Sequence, residues 1–428
     1  MVDIRSEETE GRSSLPSLRE LLYYIGPGFL ISVAYMDPGN WATNISGGAK
    51  FGTALLWVIV LASLMAIGIQ IIAAKLGIAT GKGVARLCRE RLPIPLIWPL
   101  WAAAELAMIA TDMAEIIGAA IGFSLVFQLP LVAGAVLATV SSFALLGVRT
   151  AHRRGFRWVE FTIMALVGVI SLAFVFEMVL AQPTAGQIAT GLTPSIPNSS
   201  ALYIAIGILG ATVMPHSVYL HPKLVQDRRT QLIEASGDSA NVHRRHFQLE
   251  SIDTTLALFG AMFVNAAMLI VAAASLQGTG IGTLTKAYVT LRSVFGSNSS
   301  IAFGIALIAA GLSSSLVATM AGQTVMDGFL DLNVNVWIRR SVTLVPSLAV
   351  VLAGFDPTSV LVASQVALSF ELPFVLIPLL WFSSQEDIMG NFTNRVRTTY
   401  GFAVIIGLIV VLNVWLLYST LFSAGPPG

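Results

Sequence analysis

The chain of 428 residues holds a single cysteine, and charged side chains make up only 11% of it. A lone Cys88 excludes an intramolecular disulfide and any cysteine-based metal cluster. Soluble domains carry roughly a quarter charged residues. At 55% hydrophobic and a mean hydropathy of +0.80, this chain cannot hide its apolar surface in one aqueous core. Histidine is also scarce, with five in all and none in the H-E-x-x-H spacing that an intramembrane metalloenzyme needs. A cleavable leader is not visible either. The first twenty residues are polar (Asp3, Arg5, Glu7, Glu8, Glu10, Arg12), with no short apolar core before a small-residue cleavage site. What the chain has in quantity is apolar runs long enough to cross about 30 Å of hydrocarbon. It reads as an all-α, polytopic membrane protein whose first partner is the lipid bilayer. Nucleic acid is not an expected partner, and the net charge of +1 carries no information on it, because the charges are sorted by loop.

Apolar runs and their breakers predict eleven spans, near 21–47, 53–76, 96–123, 130–148, 159–180, 201–225, 252–276, 301–328, 336–353, 359–382 and 399–422. With the N-terminus inside, 21 of the 24 Lys and Arg fall in cytoplasmic segments, and only Lys50, Lys286 and Arg292 fall outside. A missed or invented helix would invert every later loop and destroy that asymmetry. The expected topology is therefore multi-pass in the cell membrane, with a cytoplasmic N-terminus and the C-terminus outside.

Two of these spans carry polar interruptions, Asp37-Pro38-Gly39-Asn40 in the first and Ala211-Thr212-Val213-Met214-Pro215-His216 in the sixth. Irregular backbone survives at membrane depth only where it lines a cavity or a site. Five spans separate the breaks, so the two helices run in opposite directions, as inverted repeats of a secondary transporter require. The organisation expected is a tail over 1–20, a first repeat over 21–180, a second over 201–382 and an added helix over 399–422. A D-P-G-N string is ordinarily a solvated turn, but the apolar lead-in from Phe29 to Met36 and the small residues after Trp41 argue against that here. Pro38 stops the preceding turn, and Gly39 permits backbone angles closed to other residues. Asp37 offers a negative oxygen ligand and Asn40 a neutral one. Pro215 cannot bond the Ala211 carbonyl four residues earlier, which leaves that oxygen to face a cation. Met214 adds a thioether. Mixed hard and soft donors suit a transition-metal dication better than magnesium or calcium.

These stretches resemble the signature of the natural resistance-associated macrophage protein (Nramp) family of proton-coupled divalent metal transporters. The likeness is closest to its bacterial manganese transporters. It is carried by Tyr35-Met36-Asp37-Pro38-Gly39-Asn40 with Ala42-Thr43-Asn44, by Ala104-Glu105 through Ala110-Thr111-Asp112 to Ala114-Glu115, and by Met214-Pro215-His216 with Tyr219-Leu220-His221. Gly311-Leu312-Ser313-Ser314 and Ser364-Gln365-Val366 add to it. The resemblance implies a LeuT-like fold in a bacterial cytoplasmic membrane, with no cofactor and with metal and proton as cargo. It implies Asp37, Asn40, Met214 and the Ala211 carbonyl as metal ligands, with Gln365 approaching the ion in some states. Relatives that move magnesium or aluminium lack the methionine, so Met214 weighs toward manganese, ferrous iron, cobalt and cadmium.

Glu105, Asp112 and Glu115 sit seven and three residues apart amid apolar neighbours, so they project from roughly one helix face. Unpaired carboxylates facing lipid are too costly, so these must pair, hydrate or hold protons. Arg339 and Arg340, at the cytoplasmic start of the ninth span, are candidate partners. The set reads either as static ion pairs or as a proton relay, and the resemblance favours the relay, with Asp37 as ligand and proton acceptor and His216 on the route. His221 is read as structural, and His152, His243 and His246 as solvated in basic loops. Glu177 and Glu371 are further intramembrane acids, and Glu371, Pro222-Lys223 and Asp327 depart from common bacterial members of the family. A sodium- or proton-coupled amino-acid symporter of the same fold is the alternative. It calls for an unwound, small-residue first helix cradling a carboxylate rather than an Asp facing a Met. A channel would repeat its filter about an oligomeric axis.

Overall fold

The computed structural model describes Tyr24, residues 26–151, 176–236, 239–278 and 282–422, and isolated positions between 165 and 172. Among the described residues there is no β-strand. The first expected span is two short helices, α1 (Pro27–Ala34) and α2 (Pro38–Phe51). There follow α3 (Leu56–Thr80), a short α4 (Val84–Arg91), α5 (Ile94–Phe127) and α6 (Leu131–Ala151). The sixth span is α7 (Ser199–Val213) and α8 (Pro215–Ser236), and the seventh is α9 (Ala240–Leu276). A short α10 (Leu284–Phe295) precedes α11 (Ser297–Leu330), α12 (Val336–Leu352), α13 (Pro357–Ser383) and α14 (Val396–Phe422).

Seven of the described helices are long and apolar enough to cross a membrane, the run over 199–234 counted as one. Of the other expected spans, the first is divided by its break, the fourth is α6 and the ninth is the 17-residue α12. The fifth falls largely outside the described residues. The sequence reading missed α4 and α10, and it placed the start of the seventh helix too late. Arg244 and Arg245 lie in the first turns of α9 rather than in a loop.

Burial ranks the helices. The apolar stretch of α7 and α8 is 94% buried, whereas that of α14 is 28% buried. The broken helix is the core of the molecule, and the last helix lies on its periphery. Hydrophobic association adds little between helices bathed in lipid, so close backbone approach at small residues does the packing. On α5, a Cβ at Gly122 would stand 2.7 Å from Ile308 Cγ1. On α11, one at Gly311 would stand 2.7 Å from the Glu115 carbonyl. These glycines let α5 and α11 close on each other, which fixes the wall that carries the acidic stripe.

Candidate metal site and acidic stripe

The first break is built by capping. Tyr35, Met36 and Asp37 donate their N–H groups to the carbonyls of Ser32, Val33 and Ala34, a tight three-residue spacing that ends α1. Asp37 is then the N-cap of α2, with Pro38 at the first helical position. Its Oδ1 accepts from the Asn40 amide N–H at 2.8 Å and from Asn40 Nδ2 at 2.9 Å. The same Asn40 Nδ2 donates to the Ala211 carbonyl at 2.9 Å, which stitches the first break to the second. The carbonyl freed by Pro215 thus accepts one hydrogen bond from Asn40 and keeps a second lone pair. Asn265 of α9 holds the break from the other side, donating to the Tyr35 carbonyl at 2.8 Å and accepting from Asn44 Nδ2 at 2.9 Å.

The second break turns on Met214, whose φ of 42° lies in the left-handed region. A non-glycine residue there costs on the order of 1 kcal/mol or more and persists where the surroundings impose it. Its N–H still reaches the Gly210 carbonyl at 3.3 Å, and Pro215 opens α8 immediately afterwards.

Gly39 behaves differently from the expectation. It lies inside α2 and is not among the positive-φ residues, so it supplies space rather than an unusual backbone angle. A Cβ there would fall 2.1 Å from Gln365 Nε2, and one at Gly210 would fall 2.0 Å from the Gln365 carbonyl. Gln365 of α13 thus packs against both broken helices at once. Asp37, Asn40, Met214 and Gln365 are each no more than 1% exposed, so the site is closed to both faces of the membrane.

Three buried oxygens in this group have no hydrogen-bond partner: Asp37 Oδ2, Asn40 Oδ1 and Gln365 Oε1. Buried acceptors without donors are rare and costly. Here two of them sit at the first break and the third on Gln365, which packs against both broken helices, while the second break carries the Met214 thioether. Among the described residues no three His, Cys, Asp or Glu side chains cluster as a metal site.

Gly118 seats the stripe beside the site, since a Cβ there would meet the Pro38 ring at 2.0 Å. All three acids of α5 face α12. Arg339 Nη2 donates to Glu105 Oε2 at 3.1 Å. Arg340 Nη1 pairs with Asp112 Oδ1 and stands 3.9 Å from Glu115 Oε2, while Nη2 bonds Ser142 Oγ at 3.0 Å and also Ser315 Oγ. The arginines are not exposed cytoplasmic charges, for Arg340 is 2% and Arg339 6% exposed. His216 reaches the same helix through Thr111, with Nδ1 3.3 Å from Oγ1.

His221 is structural in its contacts, with Nδ1 2.9 Å from Gln70 Oε1 and Nε2 2.8 Å from Glu250 Oε1. Gln70 also donates to the Tyr35 hydroxyl at 2.9 Å, and Tyr24 donates to Glu250 Oε2 at 2.8 Å. Asp253 accepts from the N–H groups of Gly26 and Gly28 at 3.2 and 3.0 Å, pinning the start of α1. The sequence reading missed Gln70, Glu250, Asp253 and Asn265. For Gln70 and Asn265 the available signal was a lone polar residue in an apolar run, whereas Glu250 and Asp253 fall in a polar stretch that singles out neither. His246 corrects an expectation, since it is buried in α9 with its ring edge-on to Tyr24 at 5.7 Å. His243 is half-buried, and His152 lies outside the described residues.

Two broken helices meeting at a buried polar site are the architecture of an all-α membrane transporter. The chain belongs to the natural resistance-associated macrophage protein-like family, whose profile matches residues 28–419. Among solved structures it resembles the Eremococcus coleocola manganese transporter in complex with an aromatic bis-isothiourea substituted compound. The TM-score is 0.83 at 31% identity, covering 98% of this chain and 92% of that one. A mutant of the same transporter matches at TM-score 0.82 and 32% identity, covering 97% and 90%. MhsT in complex with L-phenylalanine matches at TM-score 0.57 and 16% identity, covering 96% and 100%, a likeness of fold alone.

Proposed function

We propose that the protein is a proton-coupled symporter that imports divalent transition-metal ions, manganese and ferrous iron with cobalt and cadmium, across the bacterial cytoplasmic membrane by alternating access. Its N-terminus is cytoplasmic and its C-terminus outside, and 21–180 and 201–382 act as inverted repeats. The observation that carries this reading is the set of three buried partnerless oxygens, on Asp37, Asn40 and Gln365, where Gln365 packs against both breaks and the second break carries Met214. A dication satisfies all three at once, whereas an amino acid brings its own ammonium and carboxylate and has no use for the sulfur. Asp37, Asn40, Met214 and the Ala211 carbonyl hold the ion, with Gln365 approaching it in some states. Arrival of the ion favours an ionised Asp37 and displaces a proton from it. Glu105, Asp112 and Glu115, with Arg339, Arg340 and His216, then serve as the proton route. One guanidinium, that of Arg340, faces two carboxyl groups, so charge balance in that pocket calls for one proton.

The test is uptake into proteoliposomes loaded with a metal-quenched dye, with and without an imposed pH gradient. Asp37→Ala is expected to abolish transport. Met214→Ala is expected to keep manganese uptake while admitting calcium or magnesium. Unchanged selectivity in Met214→Ala would overturn the soft-ligand argument.

A further inference from the structure

Of the buried acids outside the site and the stripe, Glu371 lies nearest in sequence to a residue of the site. Glu371 lies on α13 six residues past Gln365, about 9 Å further along the helix axis toward its cytoplasmic end. It is 5% exposed. Its Oε1 accepts from the Tyr219 hydroxyl at 3.2 Å, and its Oε2 has no partner. Tyr219 belongs to α8, five residues beyond Met214, and its ring sits edge-on to Phe329 of α11 at 5.8 Å.

The other buried acids near the two breaks are neutralised or capping. Glu105 and Asp112 pair with arginines, Glu115 stands 3.9 Å from one, Glu250 meets His221, and Asp253 caps α1. Glu371 has none of these. The titratable groups facing this corner are Tyr219 from α8 and Cys88 from α4, which is buried within range of the phenol. On α5 the charged groups are those already paired with α12, and Lys75 of α3 is engaged by Asn394. Among the described residues no Lys, Arg or His pairs with Glu371. A carboxyl group with no counter-charge in a low-dielectric interior is stable only when neutral.

The geometry points to Glu371 as a proton-binding residue below the metal site, loaded while α8 lies against α13 and emptied into cytoplasmic water when the two separate. The bond broken is Oε2–H, the proton goes to cytoplasmic water, and the carboxylate left behind is hydrated until α8 returns and a proton is taken up again. Because opening then releases a proton, a low internal pH opposes opening and slows metal release. The inference rests on the carrier reading above and adds to it that α8 and α13 separate as the inner side opens. It adds a residue specific to this chain.

The experiment is initial manganese uptake in right-side-out proteoliposomes, at fixed external pH and metal, with the internal pH varied across neutrality. The full-length wild-type protein is expected to slow as internal pH falls. Glu371→Gln, which keeps an acceptor for Tyr219 but cannot ionise, is expected to transport manganese with most of that dependence gone, and Glu371→Asp to restore it. Tyr219→Phe removes a donor that stabilises the ionised form, so its profile is expected to move to higher internal pH. This variant also keeps the test decisive if Glu371→Gln does not fold. A Glu371→Gln profile parallel to wild type, or a Tyr219→Phe profile superimposed on it, overturns the assignment. Absence of manganese uptake by the wild-type protein overturns the carrier reading instead, so the two failures are distinguishable.

Discussion

Replacing Arg340 with leucine tests whether the stripe and α12 form one electrostatic unit. The guanidinium is 2% exposed and serves Asp112, Glu115, Ser142 and Ser315 together. Arg340→Leu leaves two carboxyl groups and two hydroxyls without their cation. Removing one partner of a buried pair costs about 3–5 kcal/mol, most of it the price of the charge left behind. Asp112→Asn removes the opposing charge instead. Arg340 can then turn to Glu115, already 3.9 Å away, so the cost should be smaller, about 1–3 kcal/mol. If the charges are coupled, the double variant should be less destabilised than the sum of the singles by about 2 kcal/mol, roughly thirtyfold in the unfolding equilibrium.

The assay is denaturant unfolding of the four proteins in one detergent, with proton flux measured on the same preparations in vesicles. Additive costs would refute the unit and reduce Arg340 to a packing residue. Wild-type proton flux in Arg340→Leu would remove the stripe from the proton route even if the stability coupling held.

Two other perturbations follow from the breaks. Gly39→Ala should fold, because the atom it strikes at 2.1 Å is the far end of Gln365. Displacing that amide should raise KM for manganese about tenfold, the effect of about 1.4 kcal/mol lost from one ligand. An unchanged KM would remove Gln365 from the site. Asp253→Ala should free the start of α1 at a cost of about 1 kcal/mol, typical of a lost helix cap. It should also raise labelling of a reporter cysteine placed on α1 from the cytoplasmic side. Labelling equal to the parent's would show that the cap does not hold the inner side shut.

How much of this was legible in the sequence depends on whether the signal was local. The breaks were, because Pro38 and Pro215 forbid a helical hydrogen bond wherever the rest of the chain lies, and Asp37 is a strong N-cap beside a proline. The stripe was legible for the same reason, since its spacing lies within a single helix. The links between helices were not. Asn265 bonds Tyr35 across 230 positions and appeared only as one polar residue in an apolar run, while Gly26 bonds Asp253 across 227 and Asp253 was one of several polar residues ahead of that run. The segment around His246 reads as a loop because it is basic, whereas α9 carries its arginines on its own first turns and buries His246 among them.

Gly39 shows the deeper reason for what the sequence concealed. A glycine beside a proline in a break has two uses, unusual backbone angles or absent volume, and its local sequence is the same for both. Only the presence of Gln365, 326 positions away, decides between them. The same holds for Asn40, whose amide face is spent on Asp37 and Ala211 and whose carbonyl is left without a donor. Chemistry carried by one residue type, such as the carboxylate or the sulfur, can be read from the chain itself. Direction, meaning which atom of an amide is left without a donor, is set by contacts between the two halves, and the proposed role of the site as a cation receptor depends on it.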